Sequence, residues 1–137
     1  MWAIFALMSA VFAALTSILA KVGLENVNSN LAVAIRTIVV LVLAWVMVFF
    51  SGAQEGLAGI NRRSLVFLLL SGIATGLSWL CYYRALQMGP ASRVIPIDKS
   101  SVVFGMILAF IVLKETLTIR AAIGGSLIAL GTFFLIF

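Results

Sequence analysis

Five apolar runs, covering 2–20, 31–50, 65–86, 92–113 and 120–137, occupy almost the whole of this chain and leave only short connections between them. Each run is close to the roughly 20 residues that an α-helix needs to cross the hydrocarbon core of a bilayer. The chain is 64% hydrophobic and 9% charged, whereas a soluble globular domain is about half apolar and about a quarter charged. Inside a bilayer no water satisfies the backbone N–H and C=O groups, so runs of this kind must close their hydrogen bonds internally, as helices. The sequence therefore predicts an all-α fold, a polytopic bundle of five transmembrane helices in a single transmembrane domain over 1–137. The connections are too short to hold a soluble domain, which confines any function to the spans. The first run is read as a retained span and not as a signal peptide, because no basic segment precedes it and Lys21 follows without a small-x-small cleavage pattern.

A formal net charge of +5 could suggest nucleic acid. The basic residues, however, stand singly or in a pair at span ends and form no solvated basic face, which is the pattern of topology determinants. Nucleic acid is therefore not an expected partner. The chain has no histidine, and Cys81 is its one cysteine. An intrachain disulfide is thus excluded, and acid-base or metal chemistry has almost no residues to use. Neither an enzyme, nor a metal site, nor a cofactor is expected.

An odd number of spans puts the two termini on opposite sides of the membrane. The N-terminal side receives Arg62, Arg63, Lys114 and Arg120; the other side receives Lys21, Arg84 and Arg93, with Arg36 and Lys99 entering the membrane from there. Orientation follows the excess of Lys and Arg in short connections, and here the two sides are nearly balanced. That balance is compatible with a single orientation in which Arg62 and Arg63 face the cytoplasm, and with insertion both ways round.

Charges inside the runs are the most informative residues. Asp98 and Lys99 lie side by side in the fourth run, and each charged group costs about 2.5 to 3.5 kcal/mol at a span centre on insertion-based scales. Arg36 lies about 7 to 8 Å into the second run and Lys99 about 10 Å into the fourth, at 1.5 Å per residue. Long stems allow Arg36 and Lys99 to reach back to the interface, an option that the short side chain of Asp98 lacks. Adjacent residues on a helix point about 100° apart, so Asp98 is expected to pair with Arg36, and to share its helix face with Ser101 and Gly105. Pro96 removes one backbone donor and predicts a freed Ser92 carbonyl or a bent first turn, beside a cavity open to that side of the membrane.

Trp79, Tyr82 and Tyr83 cluster at the end of the third run. They suit an aromatic belt at the interface, and equally a vestibule in which Trp79 and Tyr83, four residues apart on one face, receive a planar or cationic solute. Small residues at helical spacing mark packing faces, where backbones approach closely in lipid. They are Ala6, Ala10 and Ala14 in the first run, Gly72 and Gly76 in the third, and Ala121, Gly125 and Ala129 in the fifth. Such faces serve packing within one chain or between two copies.

Several stretches are familiar together. "LAKVGL" before residue 25, "LAVAIR" at 31–36, "SGIATGLSWLCYYRALQMGPAS" at 71–92 and "LKETLTIRAAIGGSLIALG" at 113–131 resemble the EamA-type domain of the drug/metabolite transporter superfamily along essentially the whole chain. "PIDKSSVV" at 96–103 is similar to the short, single-domain bacterial members. The resemblance implies a multi-pass protein of the bacterial inner (plasma) membrane. It also implies half of the ten-helix, inverted-repeat transporter that two tandem domains form in most members. Glu115 matches the acidic residue of the fourth turn and is read as a solvent-facing cap of the last helix.

From the residues and the resemblance together, the expected function is a small secondary carrier or exporter of a small polar metabolite or drug. It would work by alternating access as a homodimer within the bilayer, with inverted protomers as one arrangement. Arg36 and Lys99 would receive an anionic part of the solute, Trp79, Tyr82, Tyr83 and Ser101 would line its site, and Asp98 would hold the cations or exchange a proton. The alternative is a membrane accessory subunit without transport of its own. Engineered cysteines near the two termini, probed in intact cells with an impermeant thiol reagent, are expected to label from both sides. Labelling of one terminus alone would establish a single orientation.

Overall fold

The computed structural model describes residues 1–116 and 118–136, and it divides into two compact units, Met1–Met88 and Gly89–Phe137. Among the described residues, five stretches are long and apolar enough to cross a membrane: Trp2–Gly23, Ser29–Ser51, Arg62–Met88, Ala91–Val112 and Ile119–Ile136.

The first unit holds α1 (Trp2–Gly23), α2 (Ser29–Ser51) and α3 (Arg62–Met88), with a 3-10 segment at Ala53–Gly59 between α2 and α3. Both α1 and α2 pack against α3. Start and stop signals are local. The Asn28 side chain accepts a hydrogen bond from the backbone N–H of Asn30 (2.9 Å) at the head of α2, and Asn61 does the same for Ser64 (2.7 Å) at the head of α3. These satisfy donors that a helix start leaves orphaned. Gly52 ends α2 at φ 71°, a left-handed conformation that costs glycine nothing. The turn from α1 into α2 passes through Asn26 at φ 59°, a conformation that Asn tolerates better than most residues.

Most apolar side chains are exposed, as befits helices whose solvent is hydrocarbon. Among the described residues, the buried apolar ones are Leu24, Val33, Tyr83 and Leu86, all in this unit, at the end of α1, the start of α2 and the end of α3. The well-packed part of the unit is therefore the membrane side reached by the turn after α1.

The second unit holds α4 (Ala91–Asp98), α5 (Ser101–Val112) and α6 (Ile119–Ile136), with α4 and α5 both packed on α6. Here the structure corrects the sequence reading. The run 92–113 is not one helix: α4 stops at Asp98, and α5 starts at Ser101. Pro96 lies inside α4 and has no N–H to offer the carbonyl four residues back. Just beyond it the bonding tightens from four-residue to three-residue steps. Ser100 donates to Ile97 O (3.0 Å), Val102 to Lys99 O (3.0 Å) and Val103 to Ser100 O (2.9 Å). Ser100 and Ser101, which compete with helical bonding, fall at this place. Such a 3-10 stretch between two helices is typical of a hinge.

The cap of α6 is also not where the sequence reading put it. The N–H of Ala121 is received by Thr118 Oγ1 at 3.2 Å, so Thr118 performs the role expected of Glu115, which is exposed. A side-chain oxygen must sit within a turn of the helix start to reach its free donors, and Thr118 directly precedes Ile119.

Among the small residues, Gly125 of α6 is buried, and a Cβ there would run into the terminal methyl of Met106 on α5. Gly72 and Gly76 are different: a Cβ at either meets nothing within 4 Å, so neither packs closely within the chain. Gly125→Ala should be absorbed by a rotamer change at Met106. Gly125→Leu should destabilise the α5–α6 packing by about 1 to 3 kcal/mol, an effect partly relieved by Met106→Ala, as measured by thermal unfolding in detergent.

Candidate functional site

Trp79 and Tyr83 project from one face of α3, and the residue that meets them comes from α2. The Arg36 guanidinium carbon lies 4.1 Å from the centroid of Trp79 and 5.6 Å from that of Tyr83. An aromatic ring offers its negative face to a cation, and a guanidinium also stacks on it as a plane. The aromatic face that the sequence reading offered to a cationic solute is thus filled by the protein's own cation. Tyr83 is buried at 3% exposure and cannot serve as a belt residue.

Arg36 does not snorkel away from the bundle. It lines a cavity of about 400 Å³ together with Thr16 and Leu19 of α1, Val27 of the first turn, Ile35 of α2 and Tyr83. Gly23, Ala20 and Ala32 complete the wall, and none of the lining residues is acidic. This cavity lies wholly within the first unit, whereas Pro96 belongs to the second.

Tyr82 faces a different way from its neighbours, because successive residues turn by about 100°. Its hydroxyl donates to Ser17 Oγ at 2.7 Å, and Ser17 in turn donates to Ala13 O at 2.8 Å. Ser17 is 4% exposed, so this pair ties α1 to α3 where no water can replace it. Two more ties follow along the same end. Lys21 Nζ donates to the Leu86 carbonyl, and Gln87 Nε2 donates to the Val27 carbonyl at 2.8 Å. Arg84 holds the other end of that amide, donating to Gln87 Oε1 at 3.1 Å. Ser17, Lys21 and Gln87 went unrecognised in the sequence. A polar residue near a span end reads as an interface residue, and nothing local says that its partner is a backbone oxygen on another helix.

In the second unit, Asp98 closes α4, Lys99 and Ser100 form the junction, and Ser101 opens α5. Lys99 Nζ lies 3.4 Å from Asp98 Oδ2, with the side chains 52% and 35% exposed. This corrects the expectation that the two neighbours do not pair with one another. The argument from helical spacing fails because the helix stops between them.

The geometry defines a class: a multi-pass, all-helical membrane protein with one interrupted span and a positively charged apolar cavity. The comparisons with known proteins give the family. Residues 1–137 match the EamA-like transporter family, within the drug/metabolite transporter superfamily, and the chain belongs to it. It is 44% identical over 134 residues to an "Uncharacterized transporter in cobO 3'region" of Sinorhizobium sp., covering 98% of this chain and 95% of that protein. It is also 32% identical over 71 residues to an uncharacterized protein of Methanocaldococcus jannaschii, covering 52% of each chain. No solved structure matches it.

Tyr82→Phe should cost about 0.6 kcal/mol and at most about 1.7, the range for interhelical hydrogen bonds in membranes. Ser17→Ala should cost a similar amount. The double variant should cost less than the sum of the two, since both remove the same bond, with unfolding in mixed micelles as the measurement.

Proposed function

We propose that the protein is a secondary carrier of a small polar metabolite or drug. It would work as a homodimer in the bacterial inner membrane and have no enzymatic activity. The observation that carries this reading is the interruption of the Ala91–Val112 span at an ion pair. Discontinuous helices are a recurring way for carriers to expose helix ends to a solute near the middle of the membrane. Charged residues within spans are costly and usually mark pathways. A single five-helix chain supplies one half of the two-fold arrangement on which alternating access relies, so a second copy completes it. The near balance of basic residues allows that copy to be inverted. Gly72 and Gly76, without close neighbours in the chain, are positions where it could approach.

In this reading Arg36 attracts the anionic part of the solute, while Trp79 and Tyr83 hold the guanidinium flat and define its direction. Tyr82 contributes through its hydrogen bond to α1. Asp98, Lys99 and Ser101 act at the hinge, where the lysine offers a second positive group and Asp98 exchanges a proton as the hinge moves. Proteoliposomes carrying the purified chain and loaded with a pH-sensitive dye test this. Amino acids, organic acids and amines are added in turn, and at least one class should enter faster than in empty vesicles. Asp98→Asn should slow that entry by about tenfold, the equivalent of about 1.4 kcal/mol in the barrier, and should flatten its dependence on pH. Equal entry across the pH range would remove the proton role. No entry of any class would remove the carrier.

A further inference from the structure

We infer that the cavity between α1, α2 and α3 selects a small monoanion with an apolar body, such as a carboxylate on an aromatic or branched frame, and rejects amines. The inference rests on the carrier reading for its biological meaning, and on the geometry of the first unit for its chemistry. A volume of about 400 Å³ lies at the small end of the range of about 300 to 1,000 Å³ for small-molecule sites. Leu19, Ala20, Ala32 and Ile35 make most of the wall apolar, and Thr16 adds one hydroxyl. One charge faces this space, and it is positive.

The state of that charge is what decides the ligand. Arg36 is half-buried and stacked on Trp79. A guanidinium carbon 4.1 Å above a ring centroid is held by the ring's quadrupole, an attraction that uses none of its N–H groups as hydrogen-bond donors to an acceptor. Among the described residues no hydrogen-bond acceptor is joined to those donors, and neither carboxylate of its own unit, Glu25 or Glu55, is paired with it. A cation held partly out of water with unspent donors gains most from a carboxylate, which accepts two parallel N–H bonds from the guanidinium edge and neutralises it. A neutral alcohol would supply one acceptor and no charge. An amine would meet like charge, and would find the ring faces that suit a cation already occupied.

Three probes with one frame separate these cases: phenylacetate, 2-phenylethanol and phenethylamine. Binding is measured by equilibrium dialysis with the full chain in phosphatidylcholine nanodiscs. Phenylacetate should bind at least about tenfold tighter than the other two, the least that a charge-assisted hydrogen bond contributes. Arg36→Gln should remove that preference, bringing the phenylacetate affinity down to that of phenylethanol in the same variant. Arg36→Lys, which keeps the charge and loses the fork, should fall between parent and Gln variant. This graded result cannot come from misfolding, and all proteins are checked for a single size-exclusion peak. Amine binding equal to that of phenylacetate would overturn the inference, as would phenylacetate affinity unaffected by Arg36→Gln. Loss of phenylacetate binding when phosphatidylglycerol is added to the discs would also overturn it, by identifying a lipid headgroup as the occupant. Flux separates the two levels. Phenylacetate that binds as stated but never crosses a proteoliposome membrane would leave the site standing and remove the carrier, whereas transport confined to amines would do the reverse.

Discussion

In hydrocarbon, apolar side chains gain nothing by leaving lipid for one another, so helices in a membrane are joined by close packing and by hydrogen bonds between them. That constraint explains the distribution of order in this protein. The tightly packed end of the first unit is the end where Ser17, Lys21 and Gln87 meet groups on other segments. Leu86, with no exposed surface, sits among these ties. Away from them, the long apolar faces of α1, α2 and α3 are open, as surfaces meant for acyl chains should be.

The same constraint governs the charges. Asp98 and Lys99 reduce the cost of their ionisation by contact with one another at a helix break. Arg36 uses a ring quadrupole instead, which lowers the energy of the cation without cancelling its charge. An ion pair partly offsets both of its charges, whereas a cation on a ring keeps its whole charge beside the space it lines. The two devices therefore serve different purposes within one small chain: one lets a span be interrupted, and the other keeps a cavity positive.

Much of this was legible in the sequence, since length and hydropathy dictate five spans, and the family resemblance in four stretches was specific. That Trp79 and Tyr83 share a face was also legible, because they stand four residues apart on one helix. What the sequence did not show were partners. Arg36 was read by charge and depth, and neither reports that Trp79 and Tyr83 of the neighbouring helix lie against its guanidinium. The break after Asp98 was hidden because Pro96 alone only bends many membrane helices, and the outcome depended on the serines that follow. Tyr82 illustrates the limit at one residue: its neighbour Tyr83 lines the cavity, and a rotation of about 100° sends Tyr82 to another helix altogether.

Two of the ties that hold α1 and its following turn to α3 end on main-chain oxygens, those of Leu86 and Val27. A carbonyl is present whatever amino acid occupies the position. Mutational drift at either receiving site therefore leaves the acceptor in place, and the joint is vulnerable chiefly at its donors, Lys21 and Gln87.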